Sequence, residues 1–183
     1  MRMSERAGAR TVLYEGRWLR LVQRDQWEFI EHLRSHGVVV IVAATPAGAI
    51  VLVEQHRVPL GRSVIELPAG LVEQAEAAEH ALETAARREL LEETGYAAGR
   101  MTKLMSGPYS PGRSGDLYHF FLASDLVRAG EGGGVAHEQE SIIVHEVPLA
   151  GADAWLEARL REGRLVDPKV FAGLHFLRRA GAV

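Results

Sequence analysis

Apolar and polar residues alternate loosely over residues 11–23, with Val12 and Tyr14 before Glu15-Gly16 and Leu19 and Leu21 after it. A period of two on both sides of a glycine predicts a hairpin-like pair of strands. Residues 27–32 read as another short strand. The pattern then changes: residues 38–43 are continuously apolar and mostly β-branched, which suits a strand covered on both faces. Thr45-Pro46-Ala47-Gly48 is a turn, and residues 50–54 are predicted to pair back as the next strand. Pro59-Leu60-Gly61 opens a loop that leads into Glu66-Leu67-Pro68-Ala69-Gly70.

From about residue 75 to 94 the chain is mostly Ala, Glu, Leu and Arg, all good helix formers. Leu82, Ala86 and Leu90 recur at i, i+4, i+8 and give this helix a core-facing stripe. Gly95 stands where a left-handed C′ residue ends a helix. Strand patterns follow near residues 101–105, 117–123 and 142–147, with Gly130 to Gly134 as a flexible loop between the last two. Residues 153–161 read as a helix. Asp167-Pro168 gives an N-cap followed by proline at the first helical position, starting a final helix to about Arg178. Strands, helix, strands, helices in that order, without internal repeats, indicate α+β or a mixed α/β/α sandwich.

The helix over residues 75–94 carries a local conflict. At about 100° per residue, Glu89, Glu92 and Glu93 share an arc of roughly 100° on one face. Like charges at i,i+4 repel, and Glu92 and Glu93 sit at the end where the helix dipole disfavours anions. A hard divalent cation, which takes oxygen ligands, would reverse both penalties. The alternative is a solvated acidic helix with no chemistry.

Composition narrows the classes. The chain has 183 residues, 47% hydrophobic and 25% charged, as in an ordinary globular protein with one sizeable core. A net charge of -3 gives no electrostatic reason for nucleic-acid binding. The absence of cysteine excludes disulfides, thiolate metal sites and a cysteine nucleophile, and fits a cytoplasmic location. Residues 1–10 are basic but lack the apolar core of a secretory signal. The apolar run at residues 37–44 is too short to span a bilayer. No membrane partner is expected.

Arg88-Glu89-Leu90-Leu91-Glu92-Glu93-Thr94-Gly95-Tyr96 matches the second half of the Nudix box, G-x5-E-x7-R-E-U-x-E-E-x-G-U, at every specified position, and Gly70 with Glu76 matches its start. Eleven residues rather than seven separate Glu76 from Arg88. Four extra residues are about one helical turn and leave the acidic face unrotated; Glu76, Glu79 or Glu73 could be the first glutamate. The chain thus resembles the Nudix hydrolase superfamily. That resemblance implies a Nudix-type α/β/α sandwich with a mixed central sheet, a loop–helix–loop that binds Mg²⁺ (or Mn²⁺) against a diphosphate, and cleavage of a P–O bond by water. Glu89, Glu92, Glu93 and the backbone carbonyl of Ala69 would hold the metal, and Arg88 would orient the carboxylates.

Features outside the box resemble the ADP-ribose pyrophosphatase branch. Glu54-Gln55-His56-Arg57 and Glu66-Leu67-Pro68-Ala69-Gly70 are similar to its EQ-aromatic-R and E-(L/I)-P-A-G motifs, with His56 in the aromatic place. Pro111 stands sixteen residues after Gly95, the family's distance for a proline, and Asp116 remains of an acidic pair that often follows. His137-Glu138-Gln139-Glu140 is similar to the loop that carries the branch's catalytic glutamate, with Glu140 or Glu138 as general base. The resemblance further implies that Arg57 grips a phosphate by its fork. Glu66 either bonds a sugar or adenine edge or pairs with Arg57. Trp27 and Phe29 either stack on adenine, often across a dimer interface, or fill core or interface. Residues 1–35 would be an N-terminal strand region for homodimerisation and residues 36–183 the hydrolase domain. The implied reaction is hydrolysis of ADP-ribose to AMP and ribose 5-phosphate. The alternatives are another nucleotide sugar, such as GDP-mannose or a UDP-sugar, or a non-catalytic module that senses ADP-ribose. His119, His145 and His175 lack ligand spacing and read as structural.

Overall fold

The computed structural model describes residues 8–73, 80–108, 110–134 and 141–181. β1 (Arg10–Glu15), β2 (Leu19–Arg24) and β3 (Trp27–His32) form an antiparallel N-terminal sheet in that order. They follow the period-two pattern, with Asp25 at φ 54° making the tight link between β2 and β3.

β4 (Ser35–Ala43) is the apolar run, and its two faces feed two cores. Val39 and Ile41 join Val51, Ala85, Ala86, Leu90 and Phe121 on one side. Val40 and Val42 join Ile50, Leu52, Leu67, Leu156 and Leu174 on the other. The alternation of strand side chains makes this division. β4 lies between β7 (Ala69–Glu73), antiparallel, and β9 (Leu117–Arg128), parallel; β8 (Tyr96–Pro108) pairs with β9 to complete the order β7-β4-β9-β8.

β5 (Ala49–Arg57) departs from expectation. It does not continue beside β4: only an isolated Ala44–Ile50 bridge joins them. β5 instead pairs with β6 (Arg62–Glu66) and β10 (Ile142–Pro148), and β11 (Leu165–Val166) closes a second mixed sheet in the order β10-β5-β6-β11. Among the described residues, three α-helices cover the sheets. α1 (Ala81–Thr94) carries Ala85, Ala86 and Leu90 into the first core, with Leu82 partly buried beside them. α2 (Ala152–Arg161) and α3 (Lys169–Arg179) supply Leu156, Val170, Leu174 and Leu177 to the second. Burying a leucine such as Leu90 contributes about 1.5–3 kcal/mol, so α1 is fixed from its apolar side. This is the mixed α/β sandwich, with added N-terminal antiparallel strands, that the pattern predicts. No helix among the described residues is long and apolar enough to cross a membrane.

Candidate active site

β7 runs out from Ala69, and α1 returns so that its last turns lie over the strand's beginning. Gly95 ends the helix at φ 75°, its N–H donating to the Leu91 carbonyl at 2.8 Å. Glu93, only 4% exposed, accepts the backbone N–H of Ala69 at 3.0 Å. Arg88 lies 2.7 Å from the Glu89 carboxylate and 2.9 Å from that of Glu92, and donates to the Leu71 carbonyl at 3.3 Å. One guanidinium therefore draws two carboxylates together and ties both to β7. Burial alone would lower the Arg88 pKa, but Glu89 and Glu92 outweigh it and hold the group above its ordinary value. Arg88 stays cationic.

Gly70 makes this packing possible. A methyl group there would fall 1.9–2.4 Å from the Glu89 carboxyl atoms, well inside any allowed contact. The glycine at the head of the Nudix-like segment is thus required for space, because the Glu89 head group occupies the volume of its missing side chain.

The glycine-rich stretch before residue 135 is placed rather than loose. Gly133 and Gly134 donate their N–H groups to the carbonyls of Glu93 and Glu92, at 2.9 and 3.1 Å. Ala129 and Gly130 donate to the Gly95 carbonyl at 2.9 and 3.0 Å. The open carbonyls at the end of α1 thus find donors outside the helix. Gly132, at φ 73°, could not carry a Cβ, which would lie 2.4 Å from the Thr94 carbonyl carbon. Composition showed the glycines; only the fold shows what their backbones bind. Glu138 and Glu140, the candidate bases, lie outside the described residues, as do Glu76 and Glu79.

The other candidates form two further groups. Arg57 donates through Nε to Glu66 at 2.7 Å, where Glu66 is 8% exposed, so the pairing alternative for Glu66 is realised in this state. Pro111 is exposed in a turn whose Ser110 carbonyl accepts the N–H groups of Arg113 and Ser114, at 2.8 and 2.9 Å. Asp116 accepts His32 Nδ1–H at 2.8 Å and also the Ser114 hydroxyl. Trp27 is 60% exposed and so fills no core within this chain, whereas Phe29 is half-buried with Arg24 5.9 Å above its ring.

One buried polar cluster was not anticipated. Glu54, 6% exposed on β5, accepts His145 Nε2–H at 3.0 Å and a bond from Arg164. A carboxylate between buried apolar residues needs such partners, and its place in an apolar strand was the available signal. His119 is 8% exposed, with Nδ1 2.8 Å from the Ser106 hydroxyl. Burial, then nearby Lys103, holds its pKa below the ordinary histidine value, which suits a core histidine.

Among the described residues, no three acidic or imidazole groups converge into a ready-made cation cage. Glu89 and Glu92 lean on Arg88, and Glu93 on Ala69. What the fold presents is a set of hard oxygen donors on one helix end, over a strand stripped of a side chain at Gly70. That donor set fits a divalent ion.

The NUDIX domain family model matches residues 34–162. The chain is 36% identical over 148 residues to an ADP-ribose pyrophosphatase of Bacillus subtilis (strain 168), a match covering 81% of this chain and 75% of that protein. It is 37% identical over 158 residues to a GDP-mannose pyrophosphatase of Citrobacter koseri, covering 82% and 77%. It is also 34% identical over 148 residues to a methanol dehydrogenase activator of Bacillus methanolicus, covering 81% and 75%. A crystal structure of an ADP compounds hydrolase superposes with a TM-score of 0.70 over 96% of this chain and 95% of that one; at 19% identity this likeness concerns the fold. With the box residues assembled at the end of α1, the family match over most of the length and relatives of this identity, the chain belongs to the NUDIX domain family and is a Nudix hydrolase.

Proposed function

We propose that this protein hydrolyses the diphosphate of a nucleoside diphosphate sugar, with ADP-ribose, giving AMP and ribose 5-phosphate, as the favoured substrate. The carrying observation is the end of α1, where Arg88 gathers Glu89 and Glu92 while Glu93 is pinned to Ala69 above Gly70. A diphosphate resists attack because of its own charge, and an acidic site would repel it further. Bound Mg²⁺, or Mn²⁺ in its place, would supply charge neutralisation and acidify water there. Glu89, Glu92, Glu93 and the Ala69 carbonyl would hold it.

The chain's own groups have distinct tasks in this reading. Arg88 keeps the carboxylates from springing apart by mutual repulsion. Arg57 meets a phosphate by its terminal nitrogens, since its pair with Glu66 uses Nε. Glu66 then fixes the direction of the guanidinium. Pro111 and Asp116 belong to the loop that borders the ribose side. Glu140, with Glu138 as its alternative, would take the proton of the attacking water. Water adds across the P–O–P link, one phosphorus gains the hydroxyl, and the other leaves as a phosphate monoester.

The N-terminal sheet supports a homodimer. Val12, Leu13, Tyr14 and Trp18 are 42%, 44%, 69% and 55% exposed, β1 is an edge strand among the described residues, and a groove of about 330 Å³ runs between Tyr14, Trp18, Leu21 and Ile30. A second copy would cover these residues and bring its own aromatics toward the base.

The relatives include both ADP-ribose and GDP-mannose pyrophosphatases. ADP-ribose, GDP-mannose and UDP-glucose should therefore be compared at equal concentration with Mg²⁺ and with Mn²⁺, products being resolved by chromatography. The proposal expects AMP from ADP-ribose at the highest kcat/KM, and no turnover with chelator. A higher kcat/KM for GDP-mannose would reassign the substrate. Binding of ADP-ribose without products would leave a sensing module.

A further inference from the structure

Asp116 is occupied within the protein. Its Oδ2 accepts His32 Nδ1–H at 2.8 Å and the hydroxyl of Ser114, and that hydroxyl oxygen accepts the Asp116 N–H at 3.1 Å. The Asp116 side chain is 14% exposed and that of His32 23%. A carboxylate so withdrawn from water relies on its donors, and one of them comes from a distant element: His32 ends β3, eighty-four residues earlier in the chain. The backbone makes the same connection. Ile30 donates its N–H to the Arg113 carbonyl at 2.8 Å, and Ile30 and Ser114 form a parallel bridge.

β3 has two faces with different duties. Its cross-strand partners place Ile30 with Leu21 and His32 with Leu19, while Trp27 stands with Arg24 and Phe29 with Val22 on the other side. Fixing the strand at Ile30 and His32 therefore also fixes the aromatics on its reverse.

We propose that His32, Asp116 and Ser114 are positioning residues that lock the N-terminal sheet to the substrate loop of residues 110–116, and that Asp116 acts on substrate affinity through this lock instead of touching the substrate. The proposal rests on the reading above, in which that loop borders the ribose side of the nucleotide sugar and the aromatics of the N-terminal sheet serve a dimer whose copies share their sites. If the lock sets affinity, breaking it from either side has one consequence. The loop and the strand lose their shared register, the bound substrate loses preorganised partners, and the carboxylates of α1 stay where Arg88 and Ala69 hold them.

Four proteins test this: the parent, His32→Ala, Asp116→Asn and the double variant. Steady-state kinetics with ADP-ribose and Mg²⁺ should show KM raised about five- to tenfold in each single variant, with kcat within about twofold. The double variant should be no worse than the worse single one, the mark of two residues acting as a unit. A second readout needs no substrate: amide hydrogen exchange at Ile30, bonded to Arg113, should quicken in all three variants while the Leu90 amide keeps its protection. If Asp116→Asn raises KM while His32→Ala leaves both KM and Ile30 exchange at parental values, Asp116 contacts substrate directly and the lock is refuted. Additive KM effects would refute it equally. Should the parent turn over no nucleotide sugar, the functional reading fails first. The lock is then judged on exchange alone: quickened Ile30 exchange in both single variants retains the docking, and unchanged exchange overturns it.

Discussion

The end of α1 and the N-terminal sheet both carry charged clusters, yet they are held in opposite ways. At α1, Leu90 is fully buried, Glu93 is 4% exposed, and one arginine binds two carboxylates against a strand. In the N-terminal sheet, Glu31 is paired with Arg10 and Arg20 at 2.6 and 2.7 Å, and the sheet leaves Tyr14 and Trp27 exposed, with Trp18 exposed in its β1–β2 link. The first cluster is anchored by the hydrophobic core of its own chain. The second is anchored by its ion pairs and the contact of β3 with residues 113–116. Charge crowded onto a well-buried element keeps its geometry with one arginine and one backbone N–H to hold it, and that is where chemistry can be placed. Charge on a thinly packed sheet holds shape only as far as its partners do, and suits recognition and association.

The contrast can be broken most severely at α1. Glu92→Gln or Glu93→Gln keeps size and much of the hydrogen bonding but removes a charge, and kcat should fall by more than about a hundredfold. Thermal stability should hold or rise, since like charges at a helix C-terminus are relieved. A loss of activity that merely tracks a loss of fold would erase the distinction between the two regions. Gly70→Ala comes next. Its methyl group displaces the flexible Glu89 head group, so activity should drop at least about tenfold while the melting midpoint moves little. An active Gly70→Ala enzyme would show that the position of Glu89 does not matter.

Smaller effects are expected at the other end. Tyr14→Arg puts a charge at the exposed apolar strand. If the proposed homodimer forms through this sheet, light scattering should report a dimer for the parent and a monomer for the variant, with KM raised about threefold or more and kcat little altered. An unchanged mass would overturn the proposal that this sheet forms a dimer interface. The weakest handle is acid. The hydrogen bond from Arg10, then that from Arg20, holds the Glu31 carboxyl down at about 2, against an ordinary 4.5. A depressed carboxylate stabilises the fold fully above its unfolded value, and that contribution fades as pH falls from about 4.5 toward 2. Solvent screens so exposed a pair, so the shift is modest. Tryptophan fluorescence melts at pH 5 and pH 3 should differ less in Glu31→Gln than in the parent.

Much of this was legible in the residues because local rules decided it. Trp27 to His32 forms a strand, Gly95 ends α1 in the left-handed region, and the apolar run of β4 is buried on both faces. Each follows from periodicity or from a φ that glycine tolerates. Partner choice was not local. The Thr45–Gly48 turn looks like the link of a simple hairpin, yet β5 leaves after one bridge and builds another sheet with β6 and β10, a decision made by side chains far along the chain. The start of α3 is offset by one residue: Pro168 takes the cap position, and Asp167 reaches past it to the Lys169 N–H at 2.8 Å. The candidate site was legible in residue type at α1, but not in the role of Gly130, Gly133 and Gly134 as backbone donors. Nor could spacing pair Asp116 with His32, because that meeting depends on how the N-terminal sheet seats.

The most direct measurement is calorimetric titration of Mn²⁺ into the protein, alone and with a non-hydrolysable nucleoside diphosphate sugar, for the parent, Glu92→Gln and Glu93→Gln. Parental binding that tightens with the diphosphate and weakens at least about tenfold in both variants is the predicted result. Equal uptake by all three proteins, or none by the parent even with the diphosphate present, would contradict the assignment of these glutamates to a metal and of the protein to diphosphate hydrolysis.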